Sequence, residues 1–188
     1  MTSLSEHELI QQCLEGNSGA FKHIVQKYQA QVAKTVVSML GPVQASEDIG
    51  QEVFIRLFNS LGKFEGKSSL GTYITRIAIN LSLNELKRRE RRKIFSFGSD
   101  EKQEKALNVP SEELSQEERD TQAWVQAGLQ QLESKFRSVL VLRMIQGYST
   151  KETAEILKLP QGTVLSRVAR GQEKLKSILQ ELQKIHYP

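Results

Sequence analysis

The sequence predicts an all-α protein of two small helical domains joined by a flexible tether, and three observations point there. Apolar residues recur three or four positions apart through residues 21–61 and again through 124–182, the period of a helix with one packed face. Helix-start signals of the form Ser-x-x-Glu stand ahead of such runs at Ser5 and Ser149. Between the runs, from Phe95 to about Arg119, the period fails and Ser, Glu, Lys and Asn dominate around Pro110. With 188 residues and 38% hydrophobic content, the chain can form one large core or two small ones. Domains over 1–95 and 120–188, with a linker over 96–119, are the expected division.

Ser5-Glu6-His7-Glu8 has the capping-box form and opens a short helix that Gly16 closes. Phe21, Ile24, Val25, Tyr28, Val32, Val36 and Leu40 mark a longer amphipathic helix that ends before Gly41-Pro42. Ser46 is placed to cap the next helix, with Glu47 and Asp48 in its first turn, where the helix dipole favours acids. Ile49, Val53 and Leu57 make its packed face, with Phe54, Phe58 and Leu61 alongside; Asp48, Gln51, Glu52 and Arg56 lie outward. The loop 63–71, bearing Gly and Ser, leads into a helix beginning near Leu70. The composition of 95–119 cannot bury enough apolar surface to offset ordering, so it reads as a tether.

In the second domain, Trp124, Leu129 and Leu132 suggest one helix, and Phe136, Val139, Leu140, Leu142 and Met144 another that Gly147 ends. The Ser149–Glu152 box opens a short helix packed through Ala154, Ile156 and Leu157. Leu159-Pro160 breaks it, and Gln161 starts a long helix packed through Val164, Val168, Leu175, Ile178, Leu179 and Leu182. Short helix, tight turn, longer helix is the helix-turn-helix outline.

Two outward faces carry chemistry. Tyr73, Arg76, Asn80, Asn84, Lys87 and Arg91 fall on one stripe of their helix. An aromatic, two amides and cations in line suit stacking on bases, hydrogen bonding to their edges and pairing with phosphates. The run Lys87–Lys93 repels itself unless an anion lies across it. Thr163, Ser166, Arg167, Arg170 and Lys174 form the outer face of the last helix, where short polar residues and forked arginines can meet base edges and phosphates.

Net charge is +4 and the pI about 9.2, an excess concentrated at 87–93 and 135–176, while 100–120 is acidic. Such patterning fits basic binding faces and a solvated tether. Cys13 is the sole cysteine, so neither a disulfide framework nor a CxxC metal site is expected. His7, His23 and His186 are scattered, and no phosphate-binding GxxxxGK[ST] motif occurs. No catalytic constellation, metal or cofactor is expected. No apolar run reaches the ~20 residues of a membrane span and no signal-peptide core is present, so the reading is cytoplasmic, without membrane insertion. On composition alone, Asp48 and Glu52 are a solvated helix face and 63–71 a connector.

The stretch SEDIGQEVFIRLFNSLGKFEGKSSLGTYITRIAIN, followed by a basic cluster, resembles conserved region two of bacterial sigma factors, most closely the extracytoplasmic-function (ECF) group. Leu132–Leu179, with LPQGTVLSRVARGQEKL, resembles that group's region four. The resemblance implies a factor that binds core RNA polymerase, reads promoter −10 and −35 elements and opens DNA, the chemistry being the polymerase's own. It implies docking on the clamp helices of the largest polymerase subunit through Asp48, Gln51, Glu52, Phe54, Arg56 and Leu57, with Phe54 and Leu57 equally able to be core. The matching loop in the family captures a flipped −10 base. The −10 candidates are Lys63, Phe64, Lys67, Ser68, Ser69, Tyr73, Arg76, Asn80, Asn84, Lys87, Arg88 and Arg91. The −35 candidates are Lys151, Gln161, Thr163, Ser166, Arg167, Arg170 and Lys174. An anti-sigma partner covering both domains is a further expectation from the resemblance. The chain departs from the family pattern at Leu70, where an aromatic is common, at Gly71, where a basic residue is usual, and at Tyr73, in place of tryptophan.

A stand-alone helix-turn-helix repressor or activator is the alternative reading; such proteins usually dimerise to span two half-sites and have no use for the first domain. A polymerase-binding decoy that no longer melts DNA is a third, hinted at only by Gly71 and Tyr73.

Overall fold

A computed structural model describes residues 5–95 and 115–186. Among them are eight α-helices and no strand. The expected linker lies mostly outside the described residues.

Helix α1 (Glu6–Leu14) begins with the expected capping box: the Glu8 amide donates to Ser5 Oγ and the Ser5 amide to the Glu8 carboxylate. Glu6 accepts from Lys27 Nζ at 2.7 Å and from the Tyr28 hydroxyl, which ties α1 to α2 (Ser18–Leu40). Helix α3 (Gln44–Ser60) starts three residues earlier than a cap at Ser46 would place it, with Val43 at the cap position. Ser46 is not its cap. Its buried hydroxyl donates to the Gly41 carbonyl at 2.6 Å, closing the turn after α2 instead. A single 3-10 turn, Leu61–Lys63, leads from α3 into the loop. Helix α4 (Leu70–Phe95) begins where expected, the Thr72 amide donating to Ser69 Oγ at 3.1 Å.

Helix α5 (Gln116–Gln131) starts inside the expected linker, because Ser115 and Glu118 form a third capping box. Helix α6 (Ser134–Leu140) passes into one wide π-type turn, Val141–Ile145, where the Gln146 amide reaches back five residues to the Val141 carbonyl. The short helix α7 (Thr150–Leu157) carries the expected Ser149–Glu152 box and stops at Lys158 in the left-handed conformation. After Pro160, α8 (Gln161–His186) is the long last helix.

The two halves do not stand apart. One core runs from Ile24, Val32, Val36 and Met39 of α2, through Val53 and Leu57 of α3 and Ile74 and Ile79 of α4, to Val141, Leu142 and Ile156 of the second half. The end of α2 is finished by side chains of other helices. A helix leaves its last four carbonyls without intrahelical partners. Here Gln126 donates to the Val37 carbonyl at 2.7 Å, Gln130 to that of Ser38 at 3.2 Å, and Arg137 to that of Met39 at 2.5 Å. Arg89 of α4 reaches the Leu40 carbonyl at 3.5 Å. Gly41, at φ +89°, turns the chain away where the Gln130 side chain packs, 3.6 Å from where a Cβ would stand.

Two expectations about packing fail. Phe58 is 57% exposed and Met144 62% exposed, because the buried Leu57 and Leu61 on one segment and Leu142 on the other set the inward face and leave these two side chains off it.

Candidate nucleic-acid interface

The outer face of α4 is built by its inner one. Ile74, Ala78 and Ile79 are buried, which turns Asn80, Asn84, Lys87 and Arg91 outward into solvent along one line. Tyr73 and Arg76 begin that line half-buried. The Tyr73 hydroxyl donates to Ser60 Oγ at 3.0 Å, its ring lies 5.2 Å from Phe64, and the Arg76 guanidinium sits 5.4 Å over it. These contacts hold one aromatic face beside a cation, an arrangement suited to stacking a base.

Lys63, Phe64, Lys67, Ser68, Tyr73 and Arg76 line one open hollow of about 430 Å³ together with Glu65 and Glu155. The loop residues are partly engaged. Lys67 pairs with Glu65, and Ser69 Oγ lies 2.9 Å from Thr72 Oγ1 at the start of α4. Gly71 is buried: a Cβ there would come within 3.1 Å of the Tyr28 ring and 3.6 Å of Gln31 Oε1. That is the packing reason for the missing side chain.

Arg88 donates to Glu85 at 2.6 Å, and Arg89 to the other carboxylate oxygen at 3.2 Å. Glu85 is only 5% exposed. Burial pushes its carboxyl up, but the hydrogen bonds from Arg88 and Arg89 outweigh that and hold it below the usual range. The basic end of α4 is thus organised around an internal acid that the sequence reading did not single out. An acid three and four residues ahead of two arginines was its signal.

On α8, Gln161, Ser166 and Arg170 are exposed, while Thr163 and Arg167 are half-buried. Ser166 Oγ donates back to the Thr163 carbonyl at 3.0 Å. Lys151 is exposed on α7. Lys174 pairs with Glu133 at 3.0 Å and lies 5.1 Å over the Phe136 ring, so it also braces α8 against α6. Leu165, 58% exposed, adds an apolar surface beside these polar residues that the sequence reading did not include.

The third face is the outside of α3. Asp48 and Gln51 are exposed, and Glu52 and Arg56 pair at 2.8 Å. Leu57 is fully buried and Phe54 packs against the core, so of their two readings packing describes both side chains. Ile55 and Phe58, each more than half exposed, supply the apolar surface there. Phe58 is steadied edge-on by Phe21, with ring centroids 5.1 Å apart. Among the described residues no His, Cys, Asp and Glu side chains gather as metal ligands, and no helix is long and apolar enough to cross a membrane.

Residues 24–92 match the family model for sigma-70 region 2, and residues 122–175 that for sigma-70 region 4. The chain is 33% identical to the RNA polymerase sigma-H factor of Pseudomonas aeruginosa, over 97% of each chain. It is 31% identical to the ECF RNA polymerase sigma factor SigW of Bacillus subtilis, over 92% of this chain and 96% of that one. It is also 31% identical to the ECF RNA polymerase sigma-E factor of Escherichia coli K12, over 95% and 96%. Among solved structures, its fold is similar to the sigma factor RpoE bound to the anti-sigma factor NepR from Bartonella quintana. That likeness has a TM-score of 0.70 at 22% identity and covers 85% of this chain and 96% of that one. CnrH, solved with the cytosolic domain of CnrY, gives a TM-score of 0.64 at 23% identity over 92% and 96%.

Proposed function

The chain belongs to the ECF group of RNA polymerase sigma factors, proteins that recognise promoters for the polymerase, and from that membership we propose a division of labour among its three outward faces. The α3 face docks on the clamp helices of core polymerase. Asp48, Gln51, Glu52 and Arg56 give the polar contacts, and Ile55 and Phe58 an apolar centre. The α8 face reads the −35 element in the major groove, with Gln161, Ser166, Arg167 and Arg170 toward bases and phosphates. Leu165 is suited to a thymine methyl.

The α4 face and its loop take the −10 element. Phe64 and Tyr73 stack a base drawn from the non-template strand into the Lys63–Arg76 hollow. Asn80, Asn84, Lys87 and Arg91 follow the strand along the helix. Unstacking a base costs a few kcal/mol, which the stacking and phosphate contacts must offset. Opening then needs no nucleotide hydrolysis by this chain. The observation that supports this reading most is the unbroken outward line from Tyr73 to Arg91, with its stacking end already assembled. Because relatives of this fold were solved with anti-sigma proteins, such a partner is proposed here as well.

The test is run-off transcription with purified core polymerase on a library of promoter regions. Discrete protein-dependent starts are expected, lost when Asp48 and Glu52 are both replaced by Lys. Duplex binding without polymerase, and no dependent transcript, would instead describe a self-sufficient repressor.

A further inference from the structure

We propose that α1, which lends no described side chain to the Lys63–Arg76 hollow, sets the shape of the loop that forms it, with Glu6 as the positioning residue. This rests on the reading of that hollow as a single-strand contact.

The loop between the 3-10 turn and α4 has little to hold it from within. Glu65, Gly66, Lys67 and Ser69 are exposed, and an ion pair as open as that of Lys67 with Glu65 contributes little. The shape of the loop is therefore decided where its two ends are fixed. Leu61 and Leu70 are buried at those ends, and α1 lies against both.

At the α4 end, Glu6 gathers three donors from outside its own helix. It accepts from Lys27 Nζ at 2.7 Å and from the Tyr28 hydroxyl, and the Leu70 amide faces the same carboxylate. These donors, Lys27 and Tyr28 foremost, hold the Glu6 carboxyl below the usual carboxylate range against its partial burial. The first amides of a helix have no partner within it. Ser69 Oγ takes that of Thr72, and the Glu6 carboxylate serves that of Leu70, at the end of α4 where the dipole favours an acid. Tyr28 extends the tie: its ring lies 3.1 Å from where a Cβ of Gly71 would stand.

At the other end, in the 3-10 turn, Leu14 lies 3.6 Å from where a Cβ of Gly62 would stand. Glu6 and Leu14 are eight positions apart on one helix (14 − 6), about 12 Å along its axis. Leu9 and Ile10 between them are buried in the core. One rigid rod thus fixes the spacing of both loop ends, and with it the placement of Phe64 against Tyr73.

The test uses the full chain. Binding of a fluorescent random-sequence single-stranded 20-mer and of its duplex is measured for the parent, Glu6→Ala, Glu6→Gln and Tyr73→Ala, together with hydrogen exchange at the Leu70 amide. With the loop competent in a third or fewer of Glu6→Ala molecules, single-strand affinity falls about threefold or more. That is the expected result, with faster exchange at Leu70 and duplex affinity within about twofold of the parent. Glu6→Gln keeps an acceptor for the Leu70 amide and should recover most of the loss, which a general loss of stability would not predict. Tyr73→Ala removes the stacking face itself and should lower single-strand affinity at least as far.

Equal single-strand affinity in the parent and Glu6→Ala overturns the inference. So does a parallel loss of duplex affinity, or a Glu6→Gln variant as weak as Glu6→Ala. Tyr73→Ala separates this failure from that of the underlying reading. If it weakens single-strand binding and Glu6→Ala does not, the positioning role alone falls; if it leaves that binding unchanged, the hollow is not a strand site and both fall.

Discussion

Leu57 and Phe58 are neighbours with opposite duties. Leu57 is fully buried, so Leu57→Ala should cost roughly 2–5 kcal/mol of unfolding free energy in urea titration. Phe58→Ala should cost about 1 kcal/mol or less, most of it the edge contact with Phe21, yet weaken polymerase binding by about tenfold or more in a pull-down titration. Were both substitutions equally destabilising, the outward placement of Phe58 would be wrong. Glu85 makes a second prediction at this scale. Its carboxyl is held low in the folded chain, so the unfolded chain binds more protons as pH falls. The stability it supplies is present above its ordinary pKa of 4.5 and is lost as pH drops through and below that value. Glu85→Gln should lower stability at pH 7 by roughly 1–3 kcal/mol and flatten the acid limb of a stability-versus-pH curve.

Among the elements, α7 is the shortest whose cap is fully formed, and it relies on that cap. Ser149→Ala removes the acceptor for the Glu152 amide and should cost about 1 kcal/mol, seen as faster amide exchange over the first turn of α7. Glu152→Gln should cost less, since an amide can still accept from the Ser149 amide. Helix starts of this kind were readable because they are local. Ser5–Glu8 and Ser149–Glu152 lie within four residues of one another and need no knowledge of the fold. The same box at Ser115–Glu118 was hidden because its surroundings are rich in the residues of a tether. Ser46 was misplaced because its hydroxyl answers to Gly41, behind it, rather than to the helix ahead. The line from Tyr73 to Arg91 was legible, since one helix alone sets it. That Glu155 shares a hollow with Lys63 was not, for 92 positions separate them (155 − 63) and no period connects them.

For the whole molecule, the continuous core predicts that the halves unfold together. Trp124, the single tryptophan, reports the second half, and exchange at the Ile24 and Val36 amides the first. Their denaturant midpoints should coincide. Arg137 is the group to remove. Burial pushes its guanidinium down to about 10, still protonated at neutral pH, and it donates to the carbonyls of Met39, Gln130 and Leu132. A cation at the C-terminal end of a helix is favoured by the helix dipole. Arg137→Met strands those carbonyls, and the expected loss is about 3 kcal/mol, with the two midpoints drawn apart. Midpoints that differ in the parent chain would mean the halves are only loosely joined.

The finish of α2 has a consequence for the order in which the protein is made. Its last carbonyls depend on Gln126, Gln130 and Arg137, residues that leave the ribosome some ninety positions after the helix itself (126 − 37 = 89). Until then that end of the first half is closed by the Gly41 amide, Ser46 and Arg89 alone, the carbonyls of Ser38 and Met39 are left to water, and its share of the common core lies open. A nascent chain stalled near residue 95 should therefore be protease-sensitive at the end of α2, and translation of the second half is what seals it.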